Sequence, residues 1–372
     1  MSLIQKLLVR RKLIKVFKCA NLKLGTDDSP IYPKIKRVTL KDTCVEVVFA
    51  LLSGMDPKDI EKKDYVFKQV FGENIELDVD TKYTKLLIYK NKNITNIYDY
   101  ELLKPYLKNK KLGIIAGIDK NNVIMSYDMT KNPHLLIAGE TGSGKSTQLR
   151  QILTSLILSN SSKNLELYLG DCKKSEFHIF RNVDHVKCVY SNKRDIRLML
   201  EKIQNELEVR SDLTEEYEVA NIYDLPKNVK KPSIIVCVDE FVMLKEDTKI
   251  MDILIEISAI GRSLGVFLIL SMQRPSSKVI DTTIRASLTV GMGFKLRDLV
   301  EERIVNTPGA SKLKDQGAFI LNQKKNYHLM APYLELDTAK ELLKPFIVEK
   351  KSNQLEPIKI EKELTEDDVF FD

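Results

Sequence analysis

The stretch Gly139-Glu140-Thr141-Gly142-Ser143-Gly144-Lys145-Ser146 fits the pattern G-x-x-x-x-G-K-[S/T] at every fixed position. Its glycines let the backbone wrap closely, so that successive N–H groups face phosphate oxygens. Lys145 supplies a mobile cation for β- and γ-phosphates, and Ser146 a hydroxyl for Mg²⁺. The nucleotide-contacting set expected from this loop runs through Thr147, in the helix that follows, whose dipole adds positive character. A chance glycine-rich turn would lack the flanking context. Here residues 134–138 (HLLIA) read as a buried strand entering the loop. Residues 146–159 read as a helix leaving it, with Leu149, Ile152, Leu153, Leu156 and Ile157 on one stripe.

Downstream, apolar strands at 165–170, 185–190, 233–238 and 266–271 alternate with helices at 195–210 and 250–264. That alternation predicts an α/β fold, a central parallel sheet covered on both faces. The strand at 234–238 ends in Asp239-Glu240. Asp239 is expected to hold Mg²⁺, directly or through water, and Glu240 to polarise the attacking water as general base. The alternative is an acidic pair that merely caps a strand. The spacing suits a RecA-like arrangement, in which another strand separates the phosphate-loop strand from this acidic one.

The next strand closes in Ser271-Met272-Gln273-Arg274-Pro275. Ligands of parallel α/β sheets sit at the carboxyl ends of strands, so Gln273 is placed to sense a γ-phosphate or orient water. Arg262, in Gly261-Arg262-Ser263-Leu264-Gly265, is either a surface arginine or a finger for a neighbouring subunit's ATP.

Before the loop, residues 35–90 read as a small α/β unit. Residues 44–52 (CVEVVFALL) form a strand, 56–71 a helical stretch, and 75–89 one or two further strands. The organisation expected is a basic N-terminal segment (1–34), a small α/β domain (35–100), a RecA-like domain (101–345) and an acidic tail (346–372).

Composition bounds the rest. In 372 residues, 43% hydrophobic and 30% charged content describe an ordinary globular chain, and a net charge of +7 is too mild to argue for nucleic acid by itself. Basic residues crowd the start (Lys6, Arg10, Arg11, Lys12, Lys15, Lys18, Lys23) and acids the end (Glu361, Glu363, Glu366, Asp367, Asp368, Asp372). Cys19, Cys44, Cys172, Cys188 and Cys237 form no C-x-x-C pair, which points to a reducing, cytoplasmic setting. Cys188 and Cys237 lie in apolar runs and read as core residues. No run approaches the roughly 20 apolar residues of a membrane span. The basic, apolar segment 3–17 is read as an amphipathic helix packed on the protein, with peripheral membrane contact as the other reading.

Several of these motifs, in this order, resemble the FtsK/SpoIIIE-type DNA translocases of the FtsK–HerA group of P-loop ATPases. The resemblance covers roughly residues 112–330. It is carried by 132–139 (NPHLLIAG), by Gly170-Asp171-Cys172-Lys173-Lys174, and by the helix from Glu206 to Arg210. It continues through the long block 261–277 (GRSLGVFLILSMQRPSS), Ile284-Arg285-Ala286-Ser287 and Gly309-Ala310-Ser311-Lys312-Leu313. In the segment 299–305 (LVEERIV) only Arg303 keeps the family register. The unit before residue 100 is similar, by element order, to the domain that precedes the motor in that family. The chain has no room for the family's membrane helices or winged-helix domain, so a compact form serving a plasmid, phage or integrative element is expected.

The resemblance implies an ATP-hydrolysing homohexamer with duplex DNA in its pore, bound through phosphates without sequence readout. Lys278, Arg285, Lys173 and Lys174 are the candidate DNA contacts on that view, or else solvated loop charges. Alternative roles for the same motor are a conjugative coupling protein with a relaxase partner, or a plasmid replication helicase with an initiator partner. A motor for protein secretion is a further alternative.

Overall fold

The computed structural model describes residues 3–41, 44–72, 75–89, 97–120, 122–276, 280 and 282–349. Lys278 and the acidic residues beyond 349 lie outside the described residues.

The N-terminal unit begins with α1 (Leu3–Cys19). It continues through β1 (Lys34–Leu40), β2 (Cys44–Ala50), α2 (Pro57–Lys62), α3 (Asp64–Phe71), β3 (Ile75–Val79) and β4 (Tyr83–Tyr89). The strands form an antiparallel sheet in the order β1-β2-β4-β3. Helix α1 places Leu13, Val16 and Phe17 in the same core as Val47, Phe49, Phe67 and Leu86. Phe17 meets Phe49 edge-on at 5.0 Å, and Phe49 stacks with Phe67. The basic stretch at the start is thus one wall of this core, while Ile4, Leu7, Leu8 and Ile14 face outward. Among the described residues no helix is long and apolar enough to cross a membrane.

The larger unit runs through α4 (Tyr100–Leu103), β5 (Gly113–Asp119), β6 (Ile124–Asp128), β7 (Leu135–Ala138), α5 (Lys145–Ser159), β8 (Leu165–Asp171) and β9 (Val186–Tyr190). It goes on with α6 (Lys193–Glu216), β10 (Ser233–Asp239), α7 (Thr248–Leu264), β11 (Val266–Met272), α8 (Thr282–Ser287) and β12 (Val290–Gly293). Then follow α9 (Leu299–Val305), β13 (Ala318–Asn322), β14 (Asn326–Met330) and α10 (Leu336–Leu343). One ten-stranded sheet has the order β6-β5-β14-β13-β12-β7-β11-β10-β8-β9. From β12 to β9 all neighbours are parallel. From β13 to β6 they are antiparallel. The sheet is therefore mixed and largely parallel, with an antiparallel wing that the helix–strand alternation did not foretell.

Alternate residues of the central strands feed two cores. Leu135, Ile137, Ile235, Cys237, Phe267 and Ile269 pack under α5. Leu136, Ala138, Ile234, Val236, Leu268 and Leu270 pack under α6 and α7. Burial on both faces explains why these strands read as unbroken apolar runs. Helix α5 also reaches the wing: Gln148 and Gln151 donate side-chain N–H groups to the carbonyls of Ala116 and Ile115, each at 2.8 Å. Those carbonyls lie at an irregularity in the β5–β6 pairing. Among the described residues no cysteine forms a disulfide; Cys237 is buried and Cys188 half-buried.

Candidate active site

The loop from Gly139 to Gly144 joins the end of β7 to the start of α5. Gly144 caps the helix with φ 112°, and a Cβ there would sit 2.9 Å from the Cα of Gly317, so only glycine fits. The loop is held from several sides. Gly139 donates to the Met272 carbonyl, Glu140 N–H to the Lys295 carbonyl at 2.8 Å, and Gly317 N–H to the Ser143 carbonyl at 2.9 Å. Ser143 Oγ donates back to the Glu140 carbonyl at 2.7 Å. Lys145 is buried, with Nζ 3.4 Å from the same carbonyl. Burial pulls its ammonium pKa below the usual lysine range, an effect opposed by Asp239 and Glu240.

Strand β11 lies between β7 and β10, the RecA-like order expected from the sequence. It brings the carboxyl ends of β7, β11, β10 and β8 side by side: Met272 pairs with Ala138, and Asp239 with Asp171. Asp239 is buried there, and burial pushes its carboxyl above the ordinary range. Glu240 is also buried and adopts a left-handed backbone, φ 53° and ψ 47°. That kink turns its carboxylate to two donors. Oε1 accepts the Gln273 amide at 3.1 Å, and Oε2 accepts Lys173 Nζ at 2.7 Å. The structure thus brings Lys145, Asp239, Glu240 and Gln273 to one end of the sheet.

Lys173 stands with them. The sequence reading offered it to DNA, whereas the structure pairs it with Glu240 inside the site. Its loop is organised by Asp171, whose carboxylate accepts the amides of Ser175, Glu176 and Phe177 at 3.1–3.2 Å. The signal was available: Lys173 follows the carboxyl end of the strand beside β10, where ligands of such sheets gather.

Other expected residues lie elsewhere. Lys174 is exposed and left-handed, at φ 59°. Arg285 is exposed on α8 and donates to the Arg303 carbonyl. Arg262 is exposed in the last turn of α7, next to the amino end of β11, so it does not meet its own chain's phosphate loop. Glu206 and Arg210, quoted for the family resemblance, are structural. Arg210 is 1% exposed and donates to the carbonyls of Leu264 and Pro232 and to Glu206.

Beside the loop opens a cleft of about 270 Å³. Gly144 and Thr147 line it together with Gln316, Gly317, Ala331 and the exposed Ile97 and Tyr333. Tyr98 N–H donates to the Tyr333 carbonyl at 2.9 Å, and the Tyr98 hydroxyl bonds Ser155 Oγ of α5 at 2.9 Å. The segment at Ile97 and Tyr98 is therefore tied to the cleft. Neither Ile97 nor Tyr333 was legible as a site residue, because they join the loop only through this long-range pairing.

This fold and this convergence of a phosphate loop with strand-end carboxylates define a P-loop ATPase. Residues 104–277 match the family model described as the FtsK/SpoIIIE family. That segment, just under half of the chain, is of the FtsK/SpoIIIE type. It is 30% identical over 236 residues to the DNA translocase FtsK of Lactococcus lactis subsp. cremoris, covering 59% of this chain and 31% of the relative. It is 27% identical over 308 residues to that of Oceanobacillus iheyensis, covering 76% and 39%. The chain spans about a third of the length of the curated relatives it matches. Among solved structures, the monomer form of the pCW3 conjugation coupling protein TcpA with ATPγS superposes with a TM-score of 0.63. That match has 21% identity and covers 90% of this chain and 98% of the other. The cytoplasmic domain of the Thermomonospora curvata type VII secretion ATPase EccC gives 0.58 at 22% identity, over 68% and 33%. At these identities the likeness is one of fold.

Proposed function

We propose that this ATPase is a ring-forming motor that moves along double-stranded DNA and serves a plasmid, phage or integrative element. The observation that supports it most is the meeting of Lys145, Asp239 and Glu240 at one strand end, in a chain whose relatives are named DNA translocases. In this reading Lys145 and the loop amides bind the β- and γ-phosphates. Glu240 takes the proton of the attacking water as its oxygen bonds to the γ-phosphorus and the bond to the β-phosphate bridging oxygen breaks. Gln273 orients that water, and Arg262 reaches the ATP of a neighbouring protomer in a homohexamer.

The residues present fit Mg²⁺. Ser146 and Asp239 offer hard oxygen donors, and the burial that raises the Asp239 carboxyl is offset by a nearby cation. Bound there, Mg²⁺ supplies charge neutralisation for the β- and γ-oxygens. DNA contact falls to exposed cations such as Lys174 and Arg285, and to Lys278.

The experiment is steady-state ATP turnover with duplex, single-stranded and no DNA across a salt series. Duplex DNA should stimulate turnover, with stimulation falling steeply as salt rises, and Lys145→Ala or Glu240→Gln should abolish it. A confirmed hexamer that ignores duplex DNA would sink the proposal. The match to TcpA, which extends over both units, favours a second reading as a conjugative coupling protein. Stimulation that requires a relaxase–DNA complex would select it.

A further inference from the structure

Glu240 has no idle carboxylate oxygen in this structure. Both oxygens are engaged, one by the Gln273 amide and the other by Lys173 Nζ at 2.7 Å. The pair is unequal: the Glu240 side chain is 7% exposed and that of Lys173 34%. A buried carboxylate needs its cation, whereas a cation that reaches solvent can change partner. Local backbone geometry favours the meeting. Glu240 and Lys174 both hold left-handed conformations that non-glycine residues seldom adopt. Asp171 ties down the loop beyond them with three amides.

ATP brings a stronger partner to the same place. The γ-phosphate carries more charge than a carboxylate, and Lys173 lies near enough to Lys145 to disfavour the charge of the Lys145 ammonium. We propose that Lys173 is a second phosphate ligand that exchanges Glu240 for the γ-phosphate when ATP binds. Glu240 is then released to its water only while a cleavable phosphate is present. ADP, lacking that phosphate, leaves the ion pair closed. This deepens the ATP-site reading and is independent of the DNA reading.

The test uses the full chain without DNA. Affinities for ATPγS and ADP are measured by calorimetry with Mg²⁺, together with ATP turnover, for Lys173→Ala, Lys173→Arg and Glu240→Gln. Lys173→Ala should weaken ATPγS about tenfold or more while ADP stays within about twofold, and kcat should fall by a similar factor. Lys173→Arg should restore most of the loss, and Glu240→Gln should tighten ATPγS but not ADP. An unchanged ATPγS-to-ADP ratio in Lys173→Ala overturns the exchange, whether kcat rises or falls. A Lys145→Ala control that keeps wild-type affinity for both nucleotides would instead discredit the ATP site itself, a distinguishable failure.

Discussion

Asp171 and Asp239 stand opposite each other at the carboxyl ends of β8 and β10, yet their carboxylates are used differently. Asp171 is saturated by three backbone amides. Asp239 is buried, and its charged form is disfavoured. Exchanging each for asparagine should therefore separate support from chemistry. Asp171→Asn replaces one accepting oxygen by a donor facing N–H groups, and should cost about 1–3 kcal/mol in urea unfolding while loosening the Lys173 loop and slowing turnover. Asp239→Asn should unfold at an equal or higher urea midpoint yet lose hydrolysis. A stability loss in Asp239→Asn as large as that in Asp171→Asn would contradict this division.

Arg210 shows what a buried guanidinium does when no substrate is near. It bridges the carbonyls that precede β10 and β11, with Glu206 as counter-ion. Arg210→Ala would strand those carbonyls and should destabilise the fold by roughly 3–5 kcal/mol, read from chemical denaturation. Unchanged stability with lost turnover would move Arg210 from scaffold to chemistry.

His134 gives the sheet a pH dependence. Burial pushes its imidazole from the ordinary 6.5 down to about 4, and Nδ1 accepts the Leu268 amide at 3.1 Å. Between those values the unfolded chain binds a proton that the folded chain refuses. The stability due to neutral His134 is thus complete above pH 6.5 and is lost as pH falls toward 4, roughly 3 kcal/mol in all. His134→Asn, which tolerates the left-handed φ of 60°, should flatten urea midpoints across that window. Equal acid sensitivity in both proteins would assign the effect to another group.

On the proposed ATP-site reading, the cleft of about 270 Å³ beside Gly144 takes the nucleoside, and Tyr333 and Ile97 offer apolar surface to its base. Tyr333→Ala should weaken ATP binding about tenfold while leaving inorganic tripolyphosphate binding unchanged. Equal weakening of both ligands would show that Tyr333 shapes the phosphate loop instead.

Much of this was legible because buried parallel strands announce themselves. Residues 234–238 and 266–270 are uninterrupted apolar runs, and each leads into polar residues at the site. The antiparallel wing had no such signature. Strand β12, which joins that wing to the parallel strands, is Val-Gly-Met-Gly, and its glycines mark close packing: a Cβ at Gly293 would fall 2.1 Å from Thr307 Oγ1. Strand β14 (NYHLM) is short, polar at its start and only partly buried. Lys173 was read as a DNA contact or a solvated loop charge because its strand-end position tells of nearness to the site but not of its partner, which depends on the backbone kink at Glu240.

The hydrogen bonds that clasp the phosphate loop to Met272, Lys295 and Gly317 have a mechanical consequence. A cradle bolted to three strand termini is shaped before its guest arrives, so little ordering entropy remains to be lost on docking. Such a cradle cannot flex much by itself. On the proposed motor reading, a stroke that follows hydrolysis would pass through the strand ends that hold the cradle, and Gly317 would link it to the wing.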